Sequence, residues 1–308
     1  MLVSELTLMN TPKIPDSVLR GRPLQNITCP YCGVDFLKCS KTKEHVVGRN
    51  FVPKGTLNNK WNLILYACQK CNRRKSDLED DISAISMHFH TVGLSNMSDP
   101  RAQAEARRRS KRSISRKTGK VISDSGVEHN VSVRLSDYKE LIFRLDGPPQ
   151  FDDERAYELA RFHMRAFFYL ITYDDVSRLG RFWKDGFYPV HGTIKTDWGN
   201  QLHRSFMNQC RQWDSRLILA DPDSYFCAAI RKHPVEDCWS WAIQWNDCYR
   251  LIGYFGDLKV ARILAAELSP LKVQSVLEAP NTWIRTRAEQ PLAEDDDILF
   301  VVSNQTEF

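Results

Sequence analysis

The chain has 308 residues, 42% of them hydrophobic and 26% charged, with a formal net charge of +5 and nine cysteines. That length and balance fit a folded protein of two domains and exclude disordered or fibrous classes, while no run of about 18 apolar residues offers a membrane span. The opening MLVSELTLMNTPKIPD lacks the basic start and long apolar stretch of a secretory leader, and an odd cysteine count with two CxxC pairs points to a reducing, cytoplasmic setting and a metal site rather than a disulfide scaffold.

Residues 1–27, with Pro12, Pro15 and Pro23, read as an extended lead-in. From 28 to 90 comes a compact block: two cysteine knuckles, a loop, a short apolar run over 61–67 and a polar helix over 72–89. Leu78, Ile82, Ile85 and Phe89 recur there at helical spacing. Residues 91–125 are rich in Ser, Arg and Gly and form either a basic helix opening into a loop or a linker. Positions 101–120 carry nine basic residues against one acidic, whereas 121–308 carry 21 against 28. Attraction for nucleic acid is therefore a property of the first 120 residues.

Residues 126–308 read as an α+β accessory domain. Strand-like stretches cover 128–146. A strong helix covers 153–173, with Ala156, Ala160, Met164, Phe167, Phe168 and Ile171 on one stripe. A hairpin over 238–255 turns at Asn246-Asp247, a helix follows over 257–268, and the tail 293–308 ends in a strand. His163 reads as a packed core residue. Trp239, Trp241 and Trp245 alternate as on a half-buried strand, and His191, Asp197 and His203 read as surface residues. Cys210, Cys227, Cys238, Cys248 and His233 lack the paired spacing of a second zinc site. This domain is expected to sense, specify or bind a partner protein or regulatory ligand.

Cys29-Pro30-Tyr31-Cys32 and Cys68-Gln69-Lys70-Cys71 form a CxxC pair of pairs, 35 residues apart. Two tight turns of this kind close a tetrahedral four-sulfur site for structural Zn²⁺, with no position left for water. Gly33 permits the positive φ such turns use. Cys39 stays outside the site.

Between and after the pairs stand Glu44-His45, Pro53, Asn62-Leu63, Ala67-Cys68, and Asn72-Arg73-Arg74-Lys75. With the cysteines, they make residues 28–90 resemble the HNH endonucleases, the ββα-metal nucleases. The third letter of HNH is here Asn72, and Pro53 stands eight positions after His45. The resemblance implies an α+β chain in which a small zinc-stapled ββα-metal (HNH) domain precedes the accessory domain. It implies cleavage of DNA, with RNA also chemically open, to 5′-phosphate and 3′-hydroxyl ends.

His45 would be the general base, since imidazole titrates near working pH. Glu44 and Asn72 would offer hard oxygens to a catalytic Mg²⁺ or Mn²⁺, and Asn62 would tie down the loop that orients His45. Asn72 could alternatively cap a helix beginning at Arg73. Arg49, Lys54, Arg73, Arg74 and Lys75 read as phosphate contacts or as plain surface charge. Arg107, Arg108, Arg109, Lys111 and Arg112 read as a phosphate-binding arm or a solubilising linker. Such an enzyme would suit restriction or defence against phage; the rival expectation is a non-catalytic zinc module that recognises nucleic acid.

Overall fold

Residues 15–58, 60–89, 100–136, 139–220, 223–279 and 282–301 are described by a computed structural model of the chain. The start of the expected lead-in, the segment 91–99 and the end of the tail lie outside them. A single helical turn, α1 (Asp16–Leu19), comes first. Two short strands, β1 (Lys41–His45) and β2 (Ile64–Cys68), then pair antiparallel, with Lys41 opposite Cys68 and His45 opposite Ile64. The side-chain amide of Asn26 clips this hairpin from outside by bonding both the N–H and the C=O of Tyr66.

Helix α2 (Gln69–His88) follows β2 directly. It starts three residues before the expected boundary, because Cys68 takes extended dihedrals (φ −67°, ψ 147°) and fills the N-cap position without a side-chain cap bond. Asn72 therefore lies inside the first turn and does not cap the helix. Leu78, Ile82, Ile85 and Phe89 are all buried, as their spacing predicts.

The basic segment is a helix, α3 (Pro100–Ser110), set against α2 through buried Ala102 and Ala106. A two-stranded antiparallel unit follows, β3 (Gly126–Ser136) with β4 (Lys139–Pro149). Then comes α4 (Asp153–Ile171), whose first turn is capped by the Asp152 carboxylate accepting from Arg155 N–H.

The remaining strands build a five-stranded antiparallel sheet: β5 (Phe187–Ile194), and, after α5 (Gln201–Cys210), β6 (Asp214–Ala220), β7 (Phe226–Lys232), β8 (Cys238–Trp245) and β9 (Tyr249–Gly256). The order across the sheet is β5-β9-β8-β7-β6. The β8–β9 hairpin turns at Asn246 and Asp247, both at positive φ (51° and 49°), as expected for these residue types. Helix α6 (Leu258–Ala266) and the antiparallel pair β10 (Gln274–Ala279) and β11 (Thr282–Thr286) complete the fold. The described part of the tail is not a strand. It is held as a loop by Arg231, whose guanidinium donates to the carbonyls of Ile298, Leu299 and Val301.

Strand β8 is not half-exposed either, because the sheet is covered on both faces. Trp241, Ile243 and Trp245 belong to the core shared with α2 and α4, while Cys238 and Ala242 join Phe206, Met207, Ala261 and Leu264 under α5 and α6. The first core is continuous with the cysteine hairpin. Phe51, from the loop between β1 and β2, inserts edge-on among His163, Phe226 and Trp245, with centroids 5.7, 6.5 and 5.6 Å away. Its carbonyl accepts from Ser83 Oγ and Asn246 Nδ2. The length of that loop thus has a cause: it must reach from β1 into the sheet's core and return.

His163 is fully buried in this aromatic setting, as expected, and burial pulls its pKa down to about 4. An ordinary imidazole titrates at about 6.5, so the unfolded chain takes up this proton first as pH falls. Stability is full above the unfolded value and is lost as pH falls from about 6.5 to about 4, by roughly 3 kcal/mol. Urea denaturation across this window should show the loss, and His163→Leu should remove that share of it.

Candidate metal centre and the adjoining hairpin

The first cysteine pair sits on a turn closed by Gly33 N–H to Cys29 C=O (2.8 Å) and Cys29 N–H to Val34 C=O (2.9 Å). Gly33 takes a φ of +72°, the left-handed conformation a side chain would strain. The second pair straddles the junction of β2 and α2. Together they bring the Sγ atoms of Cys29, Cys32, Cys68 and Cys71 within 4.8 Å of one another, with Cys32 and Cys68 3.7 Å apart.

A tetrahedral ion with bonds of about 2.3 Å places its sulfurs about 3.8 Å apart, so these residues fit a metal ion such as zinc. A hydrogen bond from Cys71 lowers Cys29 to about 5, while burial pushes Cys32 up to about 12. Among the described residues this is the one cluster of its kind, and neither Cys39 nor the four C-terminal cysteines form another.

The strand and helix that carry the cysteines also position the remaining candidates. Thr42 and Glu44, two apart on β1, share a face, and Asn72 and Lys75, three apart on α2, meet them there. Asn72 Nδ2 donates to Thr42 Oγ1 (2.8 Å). Asn62 grips the chain just beyond His45 with both ends of its amide: Oδ1 accepts from Val47 N–H (3.2 Å) and Nδ2 donates to Val47 C=O (2.7 Å). His45 is half-buried, and its Nε2 is buried with no hydrogen-bond partner among the described residues. Burial, then the charges of Arg49, Lys43 and Lys75, hold its pKa below that of an ordinary imidazole. It is therefore uncharged near neutral pH and able to accept a proton.

Lys75 is the departure. Expected as a phosphate contact, it is 1% exposed and sets its ammonium 2.8 Å from Glu44 Oε1 and 2.6 Å from Glu79 Oε1, and it also donates to His45 C=O. The contact with Glu44 is charge to charge; its angle falls outside hydrogen-bond geometry. Burial raises the Glu44 carboxyl, with Lys75 pulling the other way. Burial also works against Glu79, but Lys75 and then His163 outweigh it and hold that carboxyl below its ordinary range. Gly48 N–H donates to the same Glu79 oxygen (3.1 Å), and a Cβ at Gly48 would come within 2.6 Å of Glu79 Oε2.

Glu79 escaped the sequence reading, although its i,i+4 spacing from Lys75 was a legible signal. A catalytic Mg²⁺ or Mn²⁺ at Glu44 and Asn72 does not fit this arrangement. The carboxylate is buried and already faces a cation supplied by the chain, with the Lys75 ammonium 2.8 Å from its Oε1.

Of the other basic candidates, Arg74 is committed to Glu158 and Asp77. Arg108 and Arg109 share Glu105. Arg49, Lys54, Arg73, Arg107, Lys111 and Arg112 are exposed. In the C-terminal half, the residues read as surface are not: Asp197 and His203 are each 1% exposed. Asp197 takes a two-pronged bond from Arg287 (2.6 Å for each contact), and His191 Nδ1 lies 3.4 Å from His203 Nε2. No family model, curated protein or solved structure matches the chain.

Removing the Lys75 charge while keeping its bulk, with Lys75→Met, strands two buried carboxylates. It should cost about 3–5 kcal/mol by urea denaturation. Adding Glu44→Gln to that variant should restore part of the loss.

Proposed function

We propose that residues 28–90 form an HNH-type nuclease module that hydrolyses phosphodiester bonds in DNA with His45 as the general base, and that the Cys29/Cys32/Cys68/Cys71 cluster holds one structural Zn²⁺. One observation carries the reading. Asn62 clamps the main chain beyond His45 by both atoms of its amide, at the end of a hairpin whose other end is drawn to α2 by the cysteines. The imidazole so held is uncharged and half-buried, and its Nε2 makes no hydrogen bond among the described residues. A general base needs a fixed position, an empty lone pair direction and a pKa at or below working pH.

The His45 imidazole would take a proton from water as the oxygen attacks phosphorus; the bond from phosphorus to the 3′ oxygen would break, and the departing oxygen would take a proton from solvent to leave as the 3′ hydroxyl. Positive charge for the phosphate would come from the exposed Lys43, whose charge acts on His45.

The Lys75–Glu44 pair favours a second reading. A carboxylate neutralised from within serves structure, and a zinc-stapled module of that kind can bind nucleic acid without cutting it.

Purified protein is expected to contain one zinc per chain by elemental analysis. A site of this type contributes on the order of 10 kcal/mol, so Cys68→Ser together with Cys71→Ser should abolish cooperative unfolding of the hairpin region. Plasmid incubated with the zinc-loaded protein, with and without added Mg²⁺ or Mn²⁺, should be nicked or linearised, and His45→Ala should reduce the rate by about 10²-fold or more. Equal cutting by His45→Ala removes His45 from the mechanism. Retarded but uncut DNA under every metal establishes the binding module instead.

A further inference from the structure

Arg49 and the end of α3 are far apart in the chain, yet they meet over α2. They line one cleft of about 370 Å³, which Arg49 shares with Arg108, Arg109, Arg112 and the hydroxyls of Ser76 and Ser113. The acids nearby are accounted for. Lys75 answers Glu79, and Asp80 faces Arg116 and Ser113. Glu105 orients Arg108 through Nε and Nη2 and Arg109 through Nε, and Arg109 Nη1 is further fixed on Ser83 Oγ (2.6 Å). The hydrogen bond from Arg108 keeps Glu105 ionised, with a pKa of about 2.

Arg49 and Arg112 are left exposed, with no ion pair among the described residues. Arginines in the last turn of α3 also complement the negative end of that helix, but that role does not bring Arg49 to the same place. A cleft that gathers guanidinium forks from two segments, two of them pre-oriented and two without anions, is suited to bind phosphate oxygens.

We propose that this cleft seats a backbone phosphate of duplex DNA, next to the phosphate presented to His45. Arg49 stands four residues beyond His45, so a strand held in the cleft passes the hairpin end. Only this placement relative to the scissile bond rests on the nuclease reading; the affinity for a backbone phosphate rests on the cleft alone. The bound phosphate would be held by Arg49 and Arg112, with Arg108 beside them.

The test uses full-length, zinc-loaded His45→Ala protein, so that no cutting intervenes, and a fluorescein-labelled duplex followed by anisotropy over a range of salt. Adding Arg49→Gln and Arg112→Gln should weaken binding roughly tenfold and flatten the slope of log K against log salt by about one to two. Lys259→Gln with Arg262→Gln, exposed on α6, should change neither. Unchanged affinity and slope in the Arg49/Arg112 variant, or an equal loss in the α6 variant, overturns the seat. So does displacement of the duplex by inorganic phosphate at matched phosphate concentration, which would mark the cleft as a site for free phosphate. Matching circular dichroism and melting curves of each variant exclude unfolding as the cause. Plasmid cutting by the wild-type chain is scored separately, so its absence removes the catalytic reading without touching this result.

Discussion

Everything near the candidate site depends on four sulfurs held within 4.8 Å of one another. Sulfurs at that spacing suit a metal ion such as zinc, whose charge would offset the repulsion between thiolates. The gathering also shapes the chain around it. It ties the turn at 29–32 to the β2–α2 junction, which sets the first turn of α2 against β1 and so determines that Asn72 meets Thr42 and Lys75 meets Glu44. The helices α4, α5 and α6 each begin with an Asp or Asn cap. Helix α2 begins with Cys68 and no side-chain cap bond. A residue of the cysteine cluster takes the place of the usual capping side chain at the start of this helix.

The second constraint is electrostatic. Lys75 is buried between Glu44 and Glu79, and Glu79 also takes Gly48 N–H and lies 3.8 Å from His163. This network joins β1, the loop after it, α2 and α4. A buried ammonium shared by two carboxylates adds little net stability against an apolar core of the same shape, but breaking it is costly. Its effect is therefore to allow one arrangement of these elements and to penalise others. It also distinguishes the neighbours Glu44 and His45: the carboxylate is turned inward to the Lys75 charge, and the imidazole is left uncharged, its Nε2 without a hydrogen bond among the described residues.

Much of this was legible from residues alone, and the losses have identifiable causes. The CxxC spacing gave the cluster, because two turns and one tetrahedron leave few alternatives. Periodicity gave α2 and α4, and the Asn-Asp pair gave the β8–β9 turn. Spacing along the chain could not show where charges find partners. Lys75 and Arg74 look like Arg73 in sequence, yet one is buried, one is paired with Glu158 and one is exposed. Asp197 reads as a surface residue because its partner, Arg287, lies ninety positions away. Trp241 and Trp245 alternate with polar residues, but Ser240 and Gln244 are buried too, since α5 and α6 cover the face that a two-layer reading leaves open to water.

The long step from His45 to Pro53 shows how the two halves of the chain depend on each other. In a free-standing ββα module that loop would only connect strands. Here Phe51 and Val52 are fully buried, and Phe51 packs on β7, β8 and α4 while its carbonyl is bonded from α2 and from the β8–β9 turn. The main chain between His45 and this anchor is gripped at Val47 by Asn62 and at Gly48 by Glu79. His45 therefore stands at the near end of a segment whose far end is set by the sheet. Any rearrangement of β8–β9 would be felt at the imidazole through six residues with almost no slack. The C-terminal half is thus part of the mounting of the candidate site, and the placing of His45 depends on the sheet as much as on the cysteine cluster.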